Sequence, residues 1–191
     1  MSWIRTPSED GAASEVAAAY TRDRETLGYV ANYTRVFAHR PAVYDGWRSL
    51  NGAIKASMDP RRYELATVAA ALRLRSSYCS LAHGKVLAEK FYDFQSVPAL
   101  PEGLGDADRA IMGFAEQVVA DATAITRADL DELRGHGLTD EEIFDIVLAA
   151  TIRCFFSKTL DALGVQPDAD FAQLEPAFCE ALTVGRPIEI A

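Results

Sequence analysis

Residues 64–83 read ELATVAAALRLRSSYCSLAH. An alanine-rich run, apolar nearly all round, stops at Ser76-Ser77, and a second run begins there. A helix without a polar face is a buried one. Ser76 is a good N-cap, so the pattern predicts a second helix from Ser77 to about Phe91. The stretch carries Glu64, Ser76 twelve residues on, Cys79 three further and His83 four further. Cys79 falls in the first turn of the second helix, where the macrodipole and unpaired amides favour an anion. His83, at i+4, shares its face and can accept a thiol proton. Taken alone, the pair reads more readily as a small buried cysteine beside a partly buried histidine, since free cysteines are usually just buried. Glu64 lies near the start of the first helix. If the two helices pack antiparallel, its carboxylate meets His83 and orients the imidazole. Otherwise it serves its own helix dipole.

The flanking sequence supplies the helices this arrangement needs. Asp59-Pro60 is an N-cap followed by a proline at the first helical position. Upstream, Val16, Ala19, Tyr20 and Leu27 recur at helical spacing, and Gly28 ends that helix. Asn32 can cap a short helix through Phe37, and Pro41 opens one with Val43, Trp47, Leu50 and Ile54 on one stripe. Residues 96–105, with Pro98, Pro101, Gly103 and Gly105, form the one linker-like stretch. Asp106 opens a helix, and Thr126 with Asp129 and Thr139 with Glu142 read as capping boxes. The helix from Asp140 ends at Gly164, and a last helix runs from Pro167 or Asp168 through Leu182. No stretch alternates with period two. The expectation is an all-α chain of about nine helices, one domain over residues 1–191. A shift of 78 residues places Glu142 on Glu64, Cys154 on Ser76 and Ser157 on Cys79, which suggests a duplicated helical unit.

The 191 residues carry a net charge of −9, with 49% hydrophobic and 25% charged residues. That is the balance of a globular protein with a sizeable core. The acidic surface argues against nucleic acid and anionic membranes as partners. No N-terminal run resembles a signal peptide, and the longest apolar run, residues 146–152, is too short for a bilayer. Cys79, Cys154 and Cys179 are odd in number and lack zinc or Cys-x-x-Cys spacing, which points to the cytoplasm rather than a disulfide scaffold. His39 and His136 have no neighbours at metal spacing, and Gly103-Leu104-Gly105 lacks a dinucleotide context, so no metal or cofactor is expected.

Glu64, Ser76, Cys79 and His83 resemble the core motif of the alkylhydroperoxidase D-like family within the carboxymuconolactone decarboxylase superfamily: Glu, then Cys-x-x-Cys, then His four residues later. The resemblance extends to LGYVANYTRVFAHRPAVYDGW (27–47), ADLDELRGHGLTDEEIFDIVLAA (128–150), LDALGV (160–165) and LTVGRP (182–187), especially as found in the peroxidase-related branch. It implies an all-helical homo-oligomer that reduces hydroperoxides or exchanges disulfides without a cofactor. Cys79 would be the attacking thiolate, and His83 and Glu64 the proton relay. The departure is Ser76, which stands where the resolving cysteine belongs. A sulfenic acid at Cys79 then needs another reductant: an external small thiol, a protein thiol, or Cys154, which reads more readily as a buried helical cysteine beside Phe155. Other readings are a decarboxylase-type lyase using His83 and Glu64, and a redox-responsive oligomer without turnover. Tyr78 either donates to a bound oxygen or packs. Arg73 and Arg75 either favour the thiolate or are solvated. Cys179 reads as a packing residue.

Overall fold

In the computed structural model, residues 1–10, 13–100 and 102–190 are described, so the Pro101 of the linker-like stretch lies outside them. They hold nine α-helices and no strand: α1 (Ser14–Leu27), α2 (Asn32–Phe37), α3 (Pro41–Ser57), α4 (Pro60–Arg73), α5 (Ser77–Lys90), α6 (Asp106–Asp121), α7 (Arg127–Gly135), α8 (Asp140–Ala162) and α9 (Pro176–Leu182).

Helix α4 is the centre. Every residue from Tyr63 to Ala71 is buried, and α5, α6 and α8 pack around it. The alanines at 66, 69, 70 and 71 let these neighbours approach closely. The start of α4 is fixed by chemistry visible in the sequence: the Asp59 side chain accepts from the Arg62 amide at 2.9 Å, and Pro60 follows. Arg61 pairs with Asp108 of α6 through two bonds at 2.5 and 3.0 Å, and Arg62 with Glu142 of α8 at 2.6 Å. Both capping boxes, at Thr126 and Thr139, are formed.

The break between α4 and α5 is held by the C-terminal tail. Arg75 sits at φ 56°, in the left-handed region that non-glycine residues rarely adopt. Its guanidinium donates to the Val184 carbonyl, the Gly185 amide donates to Ser77 Oγ at 2.8 Å, and Ser80 Oγ donates to the Leu182 carbonyl at 2.5 Å. A Cβ on Gly185 would lie 2.0 Å from the Arg75 carbonyl oxygen. The LTVGRP tail therefore clamps the first turn of the helix that carries Cys79.

Three expectations are corrected. Ala31, not Asn32, is the N-cap of α2; the Asn32 side chain instead donates to the Gln166 carbonyl and to Glu189. The last helix is split: a 3₁₀ turn spans Ala169–Gln173, and α9 begins only at Pro176, which occupies its first position as Pro60 does in α4. On α3, the buried side is formed by Tyr44, Trp47, Asn51 and Ile54, while Val43 and Leu50 are exposed. The polar Asn51 on the inner side hid that face from a search for apolar stripes. Helix α8 runs unbroken through the positions that correspond to the α4–α5 break under the 78-residue shift.

Candidate functional site

Helix α4 packs against α5, and of the two readings left open for Glu64 it is the contact with His83 that forms. His83 Nδ1 lies 2.6 Å from Glu64 Oε2. The Glu64 side chain is 1% exposed, and its second oxygen accepts from Lys55 Nζ of α3 at 2.8 Å. Burial works against ionisation of Glu64, but His83 and Lys55 together outweigh it and hold its pKa below the ordinary value. An ionised carboxylate only accepts, so Nδ1 carries the imidazole proton and Nε2 keeps its lone pair. Burial pushes the His83 pKa down and the Arg153 cation adds to this, against an opposing pull from Glu64. The imidazole is thus neutral near pH 7, a base rather than a cation.

Cys79 is buried, 1% exposed, and lines a cavity of about 300 Å³ together with His83. The sulfur's hydrogen-bond partners come from α8: Ser157 Oγ at 3.1 Å and Arg153 Nη1 at 3.7 Å. Arg153 is itself buried, and its Nη2 reaches Asn51 Oδ1 at 3.4 Å. Asn51 also accepts from Tyr63 at 2.8 Å. Burial opposes the Arg153 cation, and the Cys79 sulfur and Tyr63 hydroxyl offset that, so its pKa is raised. The cavity walls are aromatic: Tyr33, Tyr44, Trp47, Tyr78 and Phe156. Trp47 and Phe156 stack at 4.1 Å between centroids.

The remaining predicted residues fall as follows. Ser76 holds the N-cap position of α5 but its hydroxyl caps nothing; it is buried without a hydrogen bond of ordinary geometry. The hydroxyl on the sulfur belongs to Ser157. Tyr78 lines the cavity and donates to the buried Asp168 carboxylate. Arg73 and Arg75 are exposed and do not line the cavity; the cation at the sulfur is Arg153. Cys154 is half-buried and outside the cavity lining. Cys179 donates to the Phe171 carbonyl at 3.2 Å, and burial raises its pKa. His39 Nε2 bonds to the Arg5 carbonyl, and His136 lines a separate groove between α6 and α7. No group of three potential metal ligands occurs among the described residues.

Lys55, Asn51, Arg153 and Ser157 were not singled out from the sequence. One signal for two of them was present. The inner face of α8 runs Ile146, Ala149, Arg153, Ser157 and Leu160, so two polar residues interrupt an apolar stripe at i, i+4. A buried polar pair at that spacing asks for a partner.

No protein-family model and no curated protein sequence matches the chain. Solved structures do. An uncharacterized peroxidase-related protein from Ralstonia eutropha, described as an alkylhydroperoxidase AhpD core, superposes with a TM-score of 0.76 at 23% identity over 97% of this chain and 98% of that one. The chain has the alkylhydroperoxidase D-like fold. A peroxidase-related protein from Silicibacter sp. shares this fold with a TM-score of 0.80 at 21% identity, covering 89% of this chain and 93% of that one. So does the debrominase Bmp8, solved as a Cys-to-Ala variant with 2,3,4-tribromopyrrole, with a TM-score of 0.72 at 16% identity over 95% and 98% of the chains. In this alkylhydroperoxidase D-like fold, then, the chain places Cys79, His83 and Arg153 on one aromatic cavity, with Ser157 bonded to the sulfur and Glu64 and Lys55 bonded in series to His83. No helix is long and apolar enough to cross a membrane among the described residues.

Proposed function

We propose that the protein is a thiol oxidoreductase of the alkylhydroperoxidase D-like family that reduces a hydroperoxide at Cys79. The observation that carries this reading is the placement of the sulfur. Ser157 and Arg153 both aim donors at it, and His83, its Nδ1 tied to Glu64, lines the same cavity. His83 Nε2 accepts the thiol proton. The Cys79 sulfur attacks the terminal peroxide oxygen, the O–O bond breaks, and the leaving alkoxide takes the proton back from Nε2. The products are an alcohol and a sulfenic acid. Ser157 and Arg153 stabilise the sulfur anion before attack, and Lys55 keeps Glu64 ionised in its buried position.

Ser76 cannot resolve the sulfenic acid, and Cys154 does not share the cavity. Reduction therefore comes from an external thiol: a first thiol condenses to a mixed disulfide with loss of water, and a second releases Cys79. The protein acts without cofactor, in the cytoplasm and as a homo-oligomer. The test is treatment of the full chain with an organic hydroperoxide and a sulfenic-acid trap. Adduct mass on the Cys79 peptide, lost in Cys79→Ser, is expected; no adduct while a control thiol peroxidase is trapped sinks the proposal.

The aromatic walls favour a second reading, reductive dehalogenation, since the Bmp8 neighbour is named a debrominase and was solved with a brominated pyrrole. There the thiolate would take bromine from carbon, a proton would replace it on the ring, and external thiols would reduce the S–Br bond to release bromide. Bromide release from a brominated pyrrole, dependent on Cys79 and added thiol, distinguishes the two.

A further inference from the structure

The cavity beside Cys79 has a charge pattern that peroxide reduction alone does not require. The protein carries a net charge of −9, yet no aspartate or glutamate lines this cavity. Two arginines do. Arg48, exposed on α3, lies 5.8 Å from the Tyr44 ring centroid, and Arg153 lies 5.6 and 6.0 Å from those of Phe156 and Trp47. Among the described residues neither arginine pairs with a carboxylate. Arg153 is buried deep, 2% exposed, and its Nε has no hydrogen-bond partner. Its contacts with Cys79 and Asn51 are long, at 3.7 and 3.4 Å.

A buried guanidinium is costly without a compensating anion. Cys79 supplies one only as a thiolate. Once the sulfur has become a sulfenic acid or a mixed disulfide, Arg153 has no anion at all. The Glu64 carboxylate is already committed to His83 and Lys55. The walls between the two cations are flat aromatic faces, which match a planar apolar body.

We infer that the cavity binds an aromatic monocarboxylate, its ring among Tyr33, Tyr44, Trp47 and Phe156 and its carboxylate on the Arg48–Arg153 side. The substrate class is then a carboxylate-bearing aromatic molecule rather than a neutral alkyl hydroperoxide. Arg48 steers the anion from solvent, and Arg153 holds it inside. This inference rests on the Cys79 cavity being the reactive site, but not on which reaction occurs there.

Calorimetric titration of the full chain with benzoate, and with benzamide as its neutral counterpart, tests the class. Benzoate is expected to bind at one site per chain, at least about tenfold more tightly than benzamide, with affinity falling as salt is added. It should slow alkylation of Cys79 by iodoacetamide, followed on the Cys79 peptide. Arg48→Gln, an exposed substitution, should weaken benzoate several-fold and leave benzamide unchanged. Equal binding of the two probes overturns the inference, and so does benzoate binding that leaves Cys79 alkylation unchanged. If benzoate binds and protects as expected while no peroxide-dependent sulfenic acid forms, the peroxidase reading fails and the anion site stands.

Discussion

Replacement of Glu64 by Gln isolates the proton relay from the rest of the site. Gln preserves shape, so packing in α4 is kept. The carboxylate holds His83 Nδ1 at 2.6 Å and Lys55 Nζ at 2.8 Å. An amide cannot serve both in the same way. Its oxygen can accept from Lys55, but its NH₂ then faces Nδ1, which must become an acceptor. The imidazole proton moves to Nε2, and the lone pair that takes the thiol proton is lost. Loss of a positioned general base costs about 10²–10⁴ in rate. The same exchange at the orienting carboxylate of a serine protease triad costs about 10⁴, through the same tautomer error. Glu64→Gln should therefore slow oxidation of Cys79 by about 10²–10⁴, or about 3–5 kcal/mol of barrier. Stability should fall by about 2 kcal/mol, since a charge-assisted bond to a buried partner is lost while the Lys55 half is screened by solvent. The assay is rapid mixing with excess organic hydroperoxide, quenching into a sulfenic-acid trap, and quantification of the Cys79 adduct against time. A rate within about threefold of the parent, in a folded variant between pH 6 and 8, would falsify the assignment of His83 as base.

The acid limb of Cys79 oxidation should lie below the ordinary histidine range of about 6.5, because burial and Arg153 lower the His83 pKa, and it should vanish in His83→Gln. The same shift makes stability fall as pH drops through that range, since the unfolded chain binds the proton first; denaturant midpoints at pH 7.5 and 5.5 measure it, with the difference reduced in His83→Gln. Ser157→Ala removes the closer donor from the sulfur and should slow oxidation about tenfold at unchanged fold, by the trapping assay. Gly185→Ala drives a methyl into the Arg75 carbonyl and should cost about 1–3 kcal/mol in chemical denaturation, because the clash is with backbone and no side chain can yield. Ser76→Cys should raise steady-state hydroperoxide turnover with a dithiol reductant; turnover no higher than the parent would show that more than the resolving thiol has been lost.

Much of the fold was legible because its signals are local. Asp59-Pro60, the capping boxes at Thr126 and Thr139 and the all-apolar body of α4 each act within one or two turns. The shared face of Cys79 and His83 is local in the same way, an i, i+4 pair on one helix, whereas the meeting of Glu64 with His83 depends on how α4 packs on α5. Pro176 opens α9 at the first helical position as Pro60 opens α4, but without the side-chain cap that Asp59 supplies, so its local signal is weaker. Asn51 and Lys55 were invisible in principle. They lie one turn apart on α3, and only the packing of α3 over α4 and α8 gives them partners.

Ser76 shows where the division lies. The sequence alone determined that a hydroxyl stands where a resolving thiol would be, and that a helix carrying Cys79 starts there. It also determined the helical content and the buried character of α4, since periodicity and caps are properties of neighbouring residues. Only the tertiary structure decided that the Ser76 hydroxyl does not cap α5, while Ser157 and Arg153, 78 and 74 positions beyond Cys79, face the Cys79 sulfur. Contacts of that kind depend on how α8 crosses α4 and α5, and no local spacing encodes a crossing.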